Sequence, residues 1–485
     1  MDPSAETATQ ALHRITSYGR YDASDPDLNW APPVDDPRVV ADLSVNDTDR
    51  LPWFYKRYPD DLPTVSLPRD LPLTSVPAVA VLAGTAIAPG TLDLPQLARV
   101  LHLAAGIVRT MVRPYATWLF RNAGSAGGRF PLELYVAVPD GHGLPGGVHW
   151  YHPEEHALVR IGPAPAGGTP TVVVTGVPWR TGWSYRERGY RHVYWDAGTM
   201  LSQLLAAAAS AGLAPALTTR FPDGDVTTLV GADGVHEWPV ALVTMGGGSP
   251  AIAATGPAVT GQVDVAPVEF PLVTAAQRAG DLDALGSPWP SAPPVRVPVV
   301  DGPSLDEVIR SRGSTRLLDQ TRSVSLDVFR TSMLAGTRGI DVAHVVAVHA
   351  VDEMAPGVHM WPEPDPRRAG DVRDELYVLA LEQGLAQDAA FVTIGIADVR
   401  SLDERAYREA QLASGIVEGR LHLLAYAMGA AASGMTFADS ELANVVGEPT
   451  DGLLLTCVGM PEYRSATAGP PGAPVEVAKV TERTS

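Results

Sequence analysis

The sequence predicts an α+β protein that uses one structural unit twice. The order helix, strand, "PG-V-H" hairpin, long helix, strand occurs in both halves of the chain, and a Pro-rich stretch separates them. A 485-residue chain that is 45% hydrophobic and 19% charged also has enough apolar surface for more than one core. A duplicated unit explains this order better than two unrelated domains.

Residues 1–65 read as an extended N-terminal arm. They are rich in Pro and Asp, with 12 acidic against 6 basic residues up to Pro63, and only 11–16 have a helical pattern. Trp30, Trp53, Phe54 and Tyr55 are expected to fasten the arm to the body. Domain 1 covers 66–248: helical spacing at 97–112, a strand at 130–138, a hairpin at 143–162, a strand or turn leading into a long Ala/Leu helix over 190–217, and a strand at 238–246. A Pro/Gly-rich connector follows over 249–303, because neither helices nor central strands tolerate its proline density. Domain 2 covers 304–466, with a helix at 324–334, a strand at 343–351, a hairpin at 354–364, the long helix at 418–434 and a closing strand at 453–461. Residues 467–485 read as a disordered tail.

Charge and composition exclude several classes. A formal charge of −19 argues against nucleic acid, which needs a basic face. One cysteine, Cys457, excludes a disulfide scaffold and a cysteine-based metal cage. The most apolar stretches, 76–89 and 204–217, are shorter than the ~20 residues of a membrane span. The N-terminus lacks the basic and apolar regions of a signal peptide, so a cytoplasmic location is expected. Only Lys56 and Lys479 are lysines, which removes lysine from most catalytic arguments.

The common catalytic patterns, G-x-S-x-G, the Walker A loop and H-E-x-x-H, do not occur. Gly246–Gly248 lack dinucleotide-loop spacing. His149, His152 and His156, with Glu154 and Glu155, have metal-like spacing. They fall on a hairpin where their rings do not converge, so no metal is expected. Cys457, in an apolar strand, reads as a core residue. Two segments carry more. In RNAGSAGGRFPLELY (121–135), Gly127 and Gly128 expose backbone amides and Ser125 adds a donor, although such loops are usually plain turns. In IRSRGSTR (309–316), Arg310, Arg312, Ser314, Thr315 and Arg316 form a donor cluster of phosphate size, or else a solvated basic turn.

The first segment resembles the P-S-G-G-x-x-P-L-E-x-Y motif of the FMN-dependent nitroreductase superfamily, in its azoline-dehydrogenase (SagB/ThcOx-type) branch. WSYRERGYRHVYWDAGTM (183–200) resembles that branch's tyrosine-bearing segment, ASGMTFADSEL (432–442) its G-x-T-F-x-D helix end, and RGSTR the superfamily's R-R-S-x-R. The resemblance implies two nitroreductase-like α/β domains, each an antiparallel-rich sheet flanked by helices. In such homodimers each flavin is held by the loop of one subunit and the arginines of the other. Here the first half has the loop without the arginines and the second the arginines without the loop, so an intrachain pseudo-dimer holding one FMN is expected.

By the same resemblance, Arg312, Ser314, Arg316 and Arg464 are expected at the phosphate. Ser125, Gly127, Gly128, Gly434 and Met435 are expected at the isoalloxazine. The chain departs from the family at Gly124, where proline is usual, and at Gly313, where a second arginine is frequent. The branch's Lys-Tyr pair reads Ser184-Tyr185 here. Tyr185 is either a base whose pKa Arg188 or Arg191 lowers, or a hydroxyl capping the cleft. The implied function is an FMN-dependent oxidoreductase of ribosomal-peptide natural-product biosynthesis. It would oxidise an azoline-type ring in a peptide or small-molecule substrate, with a cyclodehydratase or other biosynthetic protein as partner. An NAD(P)H-dependent nitro, quinone or flavin reductase and a degenerate scaffold protein are the alternatives.

Overall fold

The computed structural model describes residues 6–19, 37–40 and 43–480. Helix α1 (Ala8–Ile15) opens the chain. The Thr7 side chain accepts from the Gln10 N–H while the Gln10 side chain accepts from the Thr7 N–H, which satisfies two otherwise orphan donors. The later arm lies on the first unit: the Trp53 N–H donates to Asp264 Oδ2, and Arg57 bridges to Gln262. Lys56 is buried against Glu237 and Tyr135. Trp30, expected to help fasten the arm, lies outside the described residues.

The first unit contains β1 (Thr64–Ser66), helix α2 (Leu94–Ala105), the hairpin β2 (Ile107–Arg113) and β3 (Ala116–Arg121), and the strands β4 (Leu132–Val138), β5 (Gly147–His152), β6 (Ala157–Gly162) and β7 (Thr171–Gly176). The long helix α3 (Gly189–Ser210), β8 (Pro215–Thr218) and β9 (Trp238–Met245) complete it. The second unit has helices α4 (Leu305–Ser311) and α5 (Leu326–Gly336), then strands β10 (Ala343–Val348), β11 (Gly357–Trp361), β12 (Pro366–Ala369) and β13 (Phe391–Ala397). The long helix α6 (Glu404–Ala427), β14 (Ala431–Met435) and β15 (Asp451–Gly459) follow.

The two sheets are wholly antiparallel and have the same plan. The seven strands of the first run β1-β6-β5-β4-β7-β9-β8, and the six of the second run β12-β11-β10-β13-β15-β14. Apart from the edge strand β1, every strand of one sheet has its counterpart at the same place in the other. Helices flank both sheets, and the largest apolar cluster crosses between units: Leu101, Val174 and Leu201 of the first join Leu305, Ile416 and Leu423 of the second. Among the described residues no helix is long and apolar enough to cross a membrane.

Several elements differ from the sequence expectation, each for a local reason. The helical spacing at 97–112 breaks at the C-cap Gly106, and the β-branched residues after it form β2. The second long helix starts at Glu404, because the Asp403 side chain accepts from the Ala406 N–H. It stops before Gly429, whose φ of 83° leaves the helical region, so residues 431–435 become a strand. The connector contains a helix, Pro271–Ala279, with proline at its first turn, where the missing N–H costs nothing. The supposedly disordered tail is ordered as far as residue 480. Val475 and Glu476 form β16 beside Arg109 and Thr110 of β2, and the Ala468 N–H donates to the Arg310 carbonyl. Unpaired edge groups on β2 give this apparently featureless segment its hydrogen bonds.

Helices α3 and α6 cross at glycines. A Cβ on Gly198 would lie 2.3 Å from the Leu412 carbonyl oxygen, one on Gly415 2.3 Å from that of Trp195, and one on Gly419 2.2 Å from Ser202 Oγ. Gly415→Ala is therefore expected to destabilise the protein by about 1–3 kcal/mol through overpacking, despite alanine's better helix propensity. A thermal melt at or above that of the parent would contradict this account of the crossing.

Candidate active site

The glycine crossing sets the two units at a distance where a cavity of about 650 Å³ remains between them. From the first unit it is lined by Gly124–Gly127, by the end of the short helix Pro178–Tyr185, and by His192, Trp195, Asp196 and Thr199 of α3. From the second unit come Ser314, Arg316, Glu418 and residues 433–436.

The loop before β4 is shaped by one carboxyl. Asp196 accepts from Ser125 Oγ at 2.5 Å and from the Ala126 N–H at 3.0 Å, while Ser125 Oγ accepts from the Phe130 N–H at 2.8 Å. Gly127 and Gly128 follow with φ of 58° and 65°, a left-handed pair that side chains resist. Gly127 brings its backbone so close to Tyr185 that a Cβ would lie 3.1 Å from the phenol oxygen. Across the cavity a Cβ on Gly434 would lie 2.8 Å from Glu418 Oε1. Glu418 accepts from Thr199 Oγ1 of the opposite unit, which ties the two long helices together below the cavity.

Burial dominates the electrostatics. It pushes the Asp196 carboxyl up to about 8, with neighbouring Glu418 adding to the rise and the loop hydrogen bonds opposing it. Burial raises Glu418 as well. His192 is held far below the usual imidazole range by burial and by Arg188 and Arg191, so it is neutral. It stacks on Tyr185 with ring centroids 3.9 Å apart, and neither of its ring nitrogens has a hydrogen-bond partner.

Of the residues singled out in the sequence, Ser125, Gly127, Tyr185, Ser314, Arg316, Gly434 and Met435 line the cavity. The others stand elsewhere. Arg188 and Arg191 turn away and pair with Asp439 at 2.6 and 2.7 Å, so they brace the site from behind and do not serve Tyr185. The Tyr185 phenol is raised, chiefly by burial, so it is no base near neutral pH. Arg312 is buried behind Gly124, donating to the Asn122 carbonyl and lying 3.1 Å from His422 Nδ1. Gly128 packs under Trp118 and Phe120. Arg464 is exposed outside the cavity. Gly313 has its own reason to lack a side chain, since a Cβ there would lie 2.1 Å from Ser465 Oγ. Residues the sequence reading missed, His192, Trp195, Asp196 and Thr199, recur at i, i+3, i+4 and i+7, a polar and aromatic stripe on an otherwise Ala/Leu-rich helix.

The counterpart position on the other side of the glycine crossing is filled. Arg338 donates to the Leu82 carbonyl at 3.0 Å and the Ala292 carbonyl at 2.9 Å, and the Val295 N–H donates to Ala83. A Cβ on Gly84 would lie 2.7 Å from Arg338 Nη1.

Two α/β units with matching antiparallel sheets and a cavity between them define a tandem nitroreductase-like fold. The solved structure of a candidate nitroreductase from Anabaena variabilis has that fold over its whole length, with a TM-score of 0.72 at 21% identity, covering 94% of this chain and 100% of that one. A candidate nitroreductase from Ralstonia eutropha matches at a TM-score of 0.31 and 21% identity, covering 42% of this chain and 96% of its own. In sequence, a candidate nitroreductase of Methanocaldococcus jannaschii is 28% identical over 170 residues, 32% of this chain and 81% of that protein. No family model matches the chain.

Asp196 gives the site a pH signature. Its folded pKa of about 8 lies above its ordinary 3.8, so between those values the folded chain holds a proton that the unfolded chain releases. Stability from this group is full below the lower value and falls as pH rises through the window, by at most ~1.4 kcal/mol per pH unit. Asp196→Asn is expected to remove that slope. Denaturant titrations at about pH 5 and about pH 8 check it, and equal losses in parent and variant would refute it.

Proposed function

We propose that the chain holds one FMN in this cavity and works as a flavin-dependent oxidoreductase on a small molecule. The observation that carries the reading is the joint construction of the cavity, with Ser125 and Gly127 of one unit facing Ser314, Arg316, Gly434 and Met435 of the other. Its volume falls in the roughly 300–1,000 Å³ range of cofactor sites. The donor set fits the group: the Arg316 guanidinium and Ser314 hydroxyl suit a phosphate, and the close backbone at Gly127 and Gly434 suits a planar ring. The unpartnered nitrogens of His192 call for a polar ligand.

A bound flavin supplies hydride and electron exchange. The chain's own part is to hold and orient it, to exclude water with the Tyr185–His192 stack, and to keep a proton on Asp196 near neutral pH. Reduction of a quinone or nitro acceptor with NAD(P)H suits this cavity best, because it needs no lysine or ionised tyrosine. The name of the Methanocaldococcus relative supports the same class. Oxidation of an azoline in a peptide natural product, with a cyclodehydratase as partner, is the second reading. In its favour is Asp196, whose ionised form, present once the pH exceeds about 8, is a more basic carboxylate than usual and suited to accept a proton there.

The FMN-supplemented protein is expected to release one FMN per chain. Arg316→Ala is expected to weaken flavin binding about 10- to 100-fold, the worth of a charged hydrogen bond, measured by flavin fluorescence quenching. Two flavins per chain would overturn the account of the filled counterpart, and none would favour the scaffold. Anaerobic bleaching by NADPH against bleaching by a model thiazoline separates the two enzyme readings.

A further inference from the structure

We propose that the mouth of the cavity is a subsite for a small aromatic molecule bearing a carboxylate, its ring against Tyr115 and its carboxylate on Arg113. The proposal rests on the flavin reading for the chemistry performed there, but not for the binding itself. Two guanidiniums stack on the Trp118 ring, Arg113 with Cζ 4.1 Å and Arg129 with Cζ 3.9 Å from the centroid, and Arg129 also lies 4.7 Å from the Trp183 ring. Arg129 is 2% exposed. Neither arginine has an ion-pair partner among the described residues. Arg113 Nε, Trp118 Nε1, Arg129 Nε and Arg129 Nη2 are all buried donors without an acceptor. Buried donors are normally paired, and an unpaired buried guanidinium is costly, so this cluster is built for an anion rich in acceptors.

The surroundings narrow the ligand. The half-exposed Tyr115 and the partly buried Tyr185 offer ring surface, which suits an aromatic body. The carboxyl groups of the cavity, Asp196 and Glu418, lie on its buried floor, while the mouth carries Arg113 and neutral Asn46, Ser184 and Gln383. Burial without an anion beside it lowers Arg129 to about 9, which fits a position that gains from an incoming carboxylate. The arm crosses the rim at Val45 and Asn46. It is held there by the Asn46 N–H on the Trp183 carbonyl and by Ser184 Oγ on Asn46 Oδ1, each at 2.9 Å.

Calorimetric titration of the FMN-supplemented protein with 4-nitrobenzoate and with methyl 4-nitrobenzoate tests this. The acid is expected to bind at least tenfold more tightly than the ester. Arg113→Gln and, separately, Arg129→Met are each expected to reduce that preference to about threefold or less while the flavin counted in the same samples is retained. Equal binding of acid and ester, or a preference that survives both substitutions, overturns the proposal. So does loss of flavin together with the preference, since the arginines would then serve the cofactor. If the parent retains no flavin yet still prefers the acid, the subsite stands and the flavin reading fails.

Discussion

The closeness of two helices governs this molecule. Because Gly198, Gly415 and Gly419 let α3 and α6 touch backbone to backbone, residues from either helix reach the same cavity floor. A wider crossing would separate Asp196 and Thr199 from Glu418 and open the floor to water. The pairing of Thr199 with Glu418 forms only because their helices are this near. The matching strand orders of the sheets belong to the repeated unit, and the apolar cluster between the units is shared.

Arginine does most of the polar work at this junction. Arg99 of the first unit pairs with Asp306 of the second, Arg405 of the second with Asp223 of the first, and Arg188 and Arg191 with Asp439. Arg109 donates to the carbonyls of Arg310 and Arg312, and Arg312 in turn donates to that of Asn122. A guanidinium with five donors can satisfy a carboxylate and several carbonyls at once, which a lysine cannot. An acidic chain thus has a cationic interior, and much of its arginine is internal bracing. This explains why charge near a motif was a poor guide to which arginines face the cavity.

The duplication, the glycine-serine loop and the arginine segment were legible in the sequence because each is a local pattern of few residue types. The loop's register and the entry of Ser314 and Arg316 into the cavity follow from those patterns. Arg188 and Arg191 were misread because proximity in sequence to Tyr185 is not proximity in space: Tyr185 ends one helix, Arg186 with a φ of 46° turns the chain, and the two arginines that follow reach Asp439 while His192 stacks on Tyr185. Asp196 was hidden as a single acid in an Ala/Leu helix. Its importance comes from Ser125, 71 positions away in sequence. The ordered tail was invisible for a similar reason, as its partner strand lies more than three hundred residues earlier.

The filled counterpart beside Arg338 has a consequence for how such a protein can change. In a symmetric homodimer every substitution appears at both sites, so an improvement to one face is also imposed on its mirror image. Here the loop of one half and the arginines of the other vary separately, and Arg338 and the connector occupy the counterpart position. Both walls of the cavity are also tethered at a local concentration set by the chain and not by the amount of protein. Dilution that would dissociate a dimer leaves this site assembled, and each wall is free to drift toward a different ligand.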